Sequence, residues 1–230
     1  MAAGWMFERE AERIRQILLA RNSVSRLLNL GSSDARFRER TKPHIERVLF
    51  APLREAGVEI VHADIKKAPG VDIVGDILDP RIQENLRARR IGCILIANVL
   101  EHVRDRAAVV AACEDIVGSE GLILAAVPCS FPYHADPLDT GYRPTPDALA
   151  ALFTRSDPLL TDLVEGQTYR EQLAARGESP AAAMLRTALW ALAFPLRPKS
   201  ARARLSRWRW YRRPYRVSIA MVRVRASSAS

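Results

Sequence analysis

The stretch Arg26-Leu-Leu-Asn-Leu-Gly-Ser-Ser-Asp-Ala-Arg-Phe37 decides how the rest of the chain is interpreted. Its apolar run stops at Gly31 and gives way to small and polar residues, which is typical of a strand followed by a turn. In a doubly wound α/β domain this first turn lies at the carboxyl edge of the sheet, where backbone N–H groups can approach a nucleotide-like ligand. Glycine permits that approach, but a glycine that ends a strand is more often a plain structural turn. Other residues must therefore decide whether the turn binds a ligand.

After this turn, apolar segments alternate with helical patterns. The spacing predicts a mostly parallel sheet with right-handed crossovers, and hence a doubly wound α/β fold. We expect 32–43 to be a long polar turn, Pro52 to kink or split the second helix, and Pro128 to end the fifth strand. The patterns predict strands at 26–30, 58–63, 71–74, 92–97 and 121–127, and helices at 6–20, 44–56, 80–89 and 104–117.

Charge is distributed unevenly along the 230 residues, whose formal net charge is +9. Because 12 of the 35 basic residues and none of the 26 acidic residues follow Glu178, the preceding part carries 23 basic and 26 acidic side chains. A short final quarter therefore carries the entire positive excess. An argument for an anionic partner applies to that quarter alone.

The cysteines and the apolar runs bear on the compartment. Cys93, Cys113 and Cys129 have neither a paired spacing nor a CxxC motif, which argues against a disulfide framework or a zinc site, and we predict no metal. The N-terminal residues mix Glu and Arg with apolar side chains, so no signal peptide is predicted. No apolar run approaches the roughly 20 residues that span a bilayer. We expect a cytoplasmic protein.

Polar residues directly follow three of the predicted strands. Asp64, Asp76 and Asn98 should gather beside Gly31, because the carboxyl ends of parallel strands meet at one edge of a sheet. An acid that ends the second strand is placed to accept hydrogen bonds from both ribose hydroxyls of an adenosine. Each of the three could alone be a helix cap or a loop residue. Together they favour a ligand site.

These residues resemble the class I S-adenosylmethionine-dependent methyltransferases, in particular the bacterial group with a "LEH" turn after strand four. The stretch 29–35 resembles the first motif of that family, Asn98-Val-Leu-Glu-His-Val103 the fourth, and 131–145 the Pro-Tyr-His…Asp-Pro…Arg-Pro segment after strand five. The resemblance covers about 25–165 and, more weakly, 216–224. It implies S-adenosylmethionine as cofactor and a Rossmann-like, seven-stranded methyltransferase fold whose last strand is antiparallel at the sheet edge. Its implied cofactor-binding residues are Asn29, Gly31, Ser33, Asp64, Asp76 and Asn98.

Two features depart from the family's first motif. Asn29 stands where an acid is usual, and Ser33 and Ala35 stand where glycines are usual. An amide cannot offer a carboxylate to the ammonium group of the cofactor. An alternative to an active enzyme is therefore a catalytically inactive methyltransferase-like module.

Methyl transfer requires an acceptor that is held in line and, for a hydroxyl, deprotonated. Our first candidate base is His134, after strand five, and our second is His102, after strand four, because an imidazole titrates near neutrality. We interpret His44 and His62 as structural.

No Asn-Pro-Pro-aromatic turn follows strand four, so we expect O-methylation of a sugar or small hydroxylated metabolite rather than methylation of a nucleic-acid base. The polar and aromatic loop around His134 supplies the substrate-binding candidates Tyr133, Asp136, Asp139, Tyr142 and Arg143.

The C-terminal region from residue 180 to residue 216 suggests a binding partner. A helix-forming segment at 180–194 is apolar nearly all round, and 202–216 is rich in Arg interleaved with Trp and Tyr. This combination fits an interfacial anchor on an anionic membrane, which would make a lipid-linked glycan a natural acceptor at the inner membrane face. It also fits single-stranded nucleic acid, or a structural cap over the cleft or a homodimer partner. The inactive module of the alternative would bind a membrane or polyanion through this region.

The predicted organisation has five parts. They are an N-terminal helix at 1–22, the α/β domain at 23–178, a helical basic insertion at 179–215, the last antiparallel strand at 216–225 and a disordered tail at 226–230.

Overall fold

The computed structural model describes residues 6–21, 23–132, 138–192 and 205–226. Their strands are β1 (Arg26–Leu30), β2 (Glu59–Asp64), β3 (Ile73–Val74), β4 (Cys93–Ala97), β5 (Leu122–Ser130), β6 (Ser156–Thr168) and β7 (Pro214–Val224). Their α-helices are α1 (Glu8–Leu19), α2 (Ala51–Glu55), α3 (Pro80–Ala88), α4 (Arg106–Val117), α5 (Pro146–Ala150), α6 (Tyr169–Ala175) and α7 (Pro180–Leu192).

The strands of the described chain form one seven-stranded sheet in the order β3-β2-β1-β4-β5-β7-β6. The first five strands are parallel, and β7 pairs antiparallel with both β5 and β6. The strand order reverses between β1 and β4, which places the topological switch point of the sheet at their carboxyl ends. The predicted doubly wound, mostly parallel sheet is confirmed.

The sheet is buried on both faces. Residues of β4 alternate between the two apolar clusters that cover it, with Ile94 and Ile96 in one and Cys93 and Leu95 in the other. Strands that are covered on both sides read as continuous apolar runs, and this is why β4 and β5 were apparent in the sequence. The helix α1 packs Ile14 and Leu18 into the second cluster.

Two predicted connections differ from the structure. Residues 32–43 are not a simple polar turn, because Ala35 and Arg36 are helical and a π-helical segment follows at Phe37–Thr41. A second π-helical segment, Ile45–Phe50, leads into α2. The change from π to α pitch lies immediately before Pro52, which lacks the N–H that would continue the preceding hydrogen-bond pattern. The helix expected to kink or split at Pro52 is continuous there, and only its hydrogen-bond pattern changes.

Two strand predictions are corrected. Pro128 does not end β5, which continues to Ser130 with a register irregularity against β7 between these two residues. The last strand is not at the sheet edge, because β7 lies between β5 and β6. From Val217 to Val222 every residue of β7 is buried, so both of its faces are covered, and the more exposed β6 forms the edge instead.

The C-terminal region packs onto a third apolar cluster at the end of the sheet. Trp208 donates from Nε1 to Thr187 Oγ1 at 3.2 Å, and Trp210 donates from Nε1 to Ser130 Oγ at 3.0 Å. These indoles, in a short 3₁₀ turn at Arg207–Trp210, lie against the protein and are not fully exposed. The helix predicted at 180–194 is described as far as Leu192, and most of the tail 226–230 lies outside the described residues. Among the helices that the structure describes, none is long and apolar enough to cross a membrane.

Candidate functional site at the carboxyl edge of the sheet

The turn after β1 approaches the turn after β4 closely. Gly31 has φ +72°, and a Cβ placed on it would lie 2.4 Å from Val99 Cγ2. The N–H groups of Gly31 and Ser32 both donate to Ala63 O, at 2.9 and 3.0 Å, and Ser33 adopts φ +55°. A side chain at position 31 would thus meet both backbone strain and a neighbouring methyl group. The geometry accounts for the single glycine that remains in the first motif.

Asn29 is engaged with its neighbour on β2. Its Nδ2 lies 3.1 Å from His62 Nδ1, and both side chains are buried. His62 meets Phe50 edge-on with ring centroids 5.1 Å apart. Burial, with the charge of Arg38, lowers the pKa of His62 to about 4, so the ring stays neutral and accepts from the amide. The interpretation of His62 as structural agrees with this packing.

The two aspartates of the predicted site shape the loops in which they lie. Asp64 accepts from the N–H of Ser33 at 2.8 Å and from that of Lys66 at 2.9 Å. Asp76 is exposed and accepts from Leu78 N–H at 2.9 Å. A carboxylate oxygen has more than one acceptor site, so these bonds leave both groups able to accept hydroxyls.

Arg38 is a buried clamp that sequence reasoning missed. Its guanidinium donates to the carbonyl oxygens of Ser32, Ser33 and Gly70, at 3.0, 2.8 and 2.7 Å. Burial lowers the pKa of Arg38. Since these acceptors lie in the turn after β1 and in the loop after β2, the clamp fixes the two loops relative to each other.

Asn98 connects the end of β4 to α1. It is buried at φ +56°, and its Nδ2 donates to Glu10 Oε1 at 3.0 Å. The other oxygen of Glu10 accepts from Phe7 N–H at 3.1 Å. Burial raises the pKa of Glu10 to about 7. The N-terminal helix therefore brings a carboxyl group to the switch point.

A second buried carboxyl group lies in the turn after β4. Burial raises the pKa of Glu101 to about 8, with a further contribution from Glu10. Its Oε2 has no hydrogen-bond partner among the described residues. The side chain of Glu101 is 1% exposed, and its Oε1 lies 3.8 Å from His102 Nε2. An unsatisfied buried carboxyl oxygen is costly unless a cation or a donor reaches it.

The predicted substrate-binding loop is described only in part. Tyr133, His134 and Asp136 lie outside the described residues. Arg143 makes a bidentate ion pair with Asp139, at 3.0 and 2.6 Å, which holds the loop together.

The remaining candidates lie beside the turn after β4. The ring of Tyr142 lies 4.3 Å from the guanidinium carbon of Arg106. The Nδ1 of His102 contacts Leu138 O. These contacts hold the turn after β4 and the segment around 138–143 together.

A cavity of about 260 Å³ opens at the same edge of the sheet. The strand β7 runs antiparallel to both β5 and β6. The last residues of β6, the first residues of β7 and the residues after β5 therefore meet at this edge. His44 belongs to its lining and lies with Nε2 2.8 Å from Met6 O. The lining also includes Met6, Phe7, Glu8, Lys42, Phe131, Pro132, Gln167, Gln172, Ala175, Arg176, Arg207 and Tyr215.

The residues at the switch point fit a cationic nucleoside. Gly31 leaves a cradle that a Cβ would fill, Asp64 ends β2 with acceptor capacity, and Glu101 holds an unpaired carboxyl oxygen. Asn29, where the family usually has an acid, is satisfied by His62. Both oxygens of Glu10 already accept hydrogen bonds, whereas Glu101 Oε2 has no partner among the described residues and could accept from a cation.

Solved structures share this fold at low sequence identity. The [4+2]-cyclase SpnF matches with a TM-score of 0.59 and 13% identity, over 98% of this chain and 88% of its own. A SAM-dependent methyltransferase from Archaeoglobus fulgidus matches with a TM-score of 0.53 and 12% identity, over 93% and 92%. Coclaurine N-methyltransferase bound to N-methylheliamine and S-adenosylhomocysteine matches with a TM-score of 0.51 and 11% identity, over 94% and 70%.

The chain thus has the fold of the class I S-adenosylmethionine-dependent methyltransferases. No protein-family model matches the sequence, and no curated protein does. Because the similar structures include a cyclase as well as methyltransferases, the fold alone does not define the reaction. The residues of the site must carry that argument.

Proposed function

We propose that this protein is an S-adenosylmethionine-dependent methyltransferase that acts on a small molecule. The observation that carries the proposal is the position of the first turn of α1, where Glu10 accepts from Asn98 at the switch point while Phe7 and Glu8 line the cavity. The start of this helix therefore lies beside both the ligand edge of the fold and the cavity next to it. A cofactor site and an acceptor site side by side are what group transfer requires.

The cofactor would be held by residues of the four neighbouring strands. Asp64 would accept the ribose hydroxyls, and Asp76 would lie beside the adenine. The turn 29–33 would approach the cofactor through its backbone, next to Asn98. Glu101 would offer its carboxyl group where Asn29 cannot, and the positive charge of the cofactor would favour its ionisation. The bound cofactor supplies an electrophilic methyl group, and the chain's contribution is to align the acceptor with it.

The acceptor would be a sugar or another small hydroxylated metabolite, methylated on oxygen. A hydroxyl must lose its proton, and we add His44 to His134 and His102 as a candidate base because it lines the cavity. Hydrogen bonding to Met6 O requires Nε2 of His44 to carry the proton, which leaves Nδ1 of the neutral ring as an acceptor. A lipid-linked glycan would satisfy this chemistry as well.

Calorimetric titration tests the cofactor site. We expect S-adenosylmethionine and S-adenosylhomocysteine to bind with micromolar affinity, and Asp64→Asn to weaken both by about tenfold or more because an amide accepts at one oxygen only. Asp115→Asn, an exposed change of the same kind on α4, is the matched control and should bind as the wild type does. A folded protein that binds neither compound up to millimolar concentration would contradict the proposal.

The exposed face of α7 supports a second role, docking on an anionic phospholipid bilayer. Met184, Leu185 and Leu189 are 58%, 64% and 59% exposed, whereas Ala183 and Thr187 face the third apolar cluster. Residues 180–216 contain ten basic residues and no acidic residue. An apolar helix face in a segment whose charged residues are all basic is complementary to anionic headgroups over acyl chains. This contact would bring a lipid-linked acceptor to the enzyme, or would be the function of an inactive module.

Co-sedimentation with vesicles tests the docking. We expect binding to phosphatidylglycerol vesicles and little to phosphatidylcholine vesicles. Since each basic residue near an anionic surface contributes about 1 kcal/mol, Arg212→Gln with Arg213→Gln should lower partitioning about tenfold or more. Arg81→Gln with Arg87→Gln, on α3, is the control of equal charge. Equal partitioning of both pairs, or retention of a single-stranded oligonucleotide without vesicle binding, would overturn the docking.

A further inference from the structure

The cavity beside α1 has an unusual charge. Three basic side chains contribute to its lining, namely Lys42, Arg176 and Arg207. The acid among the described lining residues is Glu8, whose Oε1 accepts from Arg47 at 2.7 Å. The enclosed space therefore has a positive surplus although the first 178 residues carry more acidic than basic side chains.

From this surplus we propose that the cavity binds an acceptor that carries a phosphate or carboxylate group, with Lys42 and Arg176 as its ligands. The inference rests on the proposed function in treating the cavity as the acceptor side of the site. It deepens that function by assigning the acceptor to the organic anions. Guanidinium and ammonium groups are the usual protein partners of both anions.

The environment of Lys42 supports this assignment. The side chain of Lys42 is half-buried and that of Arg176 is exposed, and neither has a side-chain hydrogen bond or ion pair among the described residues. Burial and the charge of Arg176 both lower the pKa of Lys42. The partial burial of Lys42 leaves water less able to screen its repulsion from Arg176. An anionic ligand would remove the repulsion.

The lining of the cavity also contains aromatic rings, which fit the apolar part of such a ligand. The rings of Phe7 and Tyr215 are stacked, with centroids 5.7 Å apart and planes at 2°, and Phe131 lies against Tyr215 at 4.9 Å. Burial raises the pKa of Tyr215 to about 12, so its hydroxyl keeps its proton and can donate. A lining that combines cations with aromatic rings favours a ligand with a charged end and an apolar body.

Two small probes of similar shape test the inference without any cofactor. Phenyl phosphate and benzyl alcohol share a ring and differ in charge. We expect phenyl phosphate to bind the full chain saturably in a calorimetric titration, at least about tenfold more tightly than benzyl alcohol. Lys42→Gln with Arg176→Gln should remove most of this difference, and added salt should weaken the binding of phenyl phosphate.

Arg170→Gln is the matched control, because Arg170 is an exposed residue of α6 outside the lining. This variant should bind phenyl phosphate as the wild type does, and circular dichroism should show all variants folded. Equal affinity for the two probes, absence of saturable binding, or an unchanged double variant would overturn the inference. The titration of S-adenosylhomocysteine against Asp64→Asn reports on the other side of the site, so either proposal can fail while the other stands.

Discussion

Glu101→Gln is expected to stabilise the protein at pH 8 and to leave its stability nearly unchanged at pH 4.5. The carboxyl group is buried and its Oε2 has no partner among the described residues, so the folded state disfavours its charge. An amide of the same shape carries no charge. We expect a gain in the free energy of unfolding on the order of 3 kcal/mol at pH 8, or an increase of about 6 to 12 °C in the melting temperature.

The sign follows from proton linkage. The pKa of Glu101 is raised from 4.5 to about 8, and that of Glu10 from 4.5 to about 7. Between the unfolded pKa of 4.5 and the raised pKa values of the folded state, the folded protein binds more protons than the unfolded chain. The free energy of unfolding of the wild type therefore falls as the pH rises from 4.5 through 8. Below pH 4.5 both states are protonated and the penalty vanishes. Thermal unfolding from pH 4.5 to 8.5 should therefore show a flatter profile for the variant than for the wild type.

Glu114→Gln provides the contrast. Glu114 is buried too, but it pairs with Arg155 at 3.0 Å and accepts from Ser156 Oγ at 2.7 Å. Removing its charge leaves those donors less satisfied, so this variant should lose stability at pH 8. If Glu101→Gln also lost stability at pH 8, the carboxyl group would have a partner that the geometry does not reveal. If Glu101 serves the cofactor, Glu101→Gln should also bind S-adenosylhomocysteine more weakly. Functional sites often keep a group that lowers the stability of the folded protein.

The fold was largely predictable because the central strands are buried on both faces. The short continuous apolar runs that became β4 and β5 favour buried strands in a chain where helical patterns alternate with strands. The position of β7 was not predictable in this way. What makes β7 an inner strand is its pairing with β6 as well as with β5, and chain order does not reveal such a pairing between distant segments.

The site was predictable only where a residue directly follows a strand. Asp64 and Asn98 come at the carboxyl edge by chain order alone. Glu10 and His44 reach the same edge through the packing of helices, which chain order does not reveal. A signal for Glu10 did exist, because it falls on the apolar stripe of α1 with Ala11, Ile14 and Leu18, where a charged residue is out of place. The cations of the cavity come from three distant segments and gave no local signal.

Gly31→Ala is expected to destabilise the protein by about 2 to 4 kcal/mol and to weaken the binding of S-adenosylhomocysteine. An L-residue at φ +72° costs about 1 to 2 kcal/mol, and the new methyl group would overlap Val99 Cγ2 at 2.4 Å, which adds the cost of overpacking. Because the turn after β1 must move to relieve the overlap, the bonds of Gly31 and Ser32 N–H to Ala63 O would lengthen. Urea denaturation measures the first effect and calorimetric titration the second.

Gly57→Ala separates strain from overlap in this prediction. Gly57 has φ +85°, and a Cβ placed there meets nothing within 4 Å, so its substitution should cost backbone strain alone and leave ligand binding unchanged. Adding Val99→Ala to Gly31→Ala should remove the steric overlap but not the backbone strain. In a double-mutant cycle of unfolding free energies, this relief would appear as a favourable coupling between the two substitutions. Equal costs for the two glycine substitutions would mean that Val99 yields freely. The close approach of the turns after β1 and β4 would then not be what requires glycine at position 31.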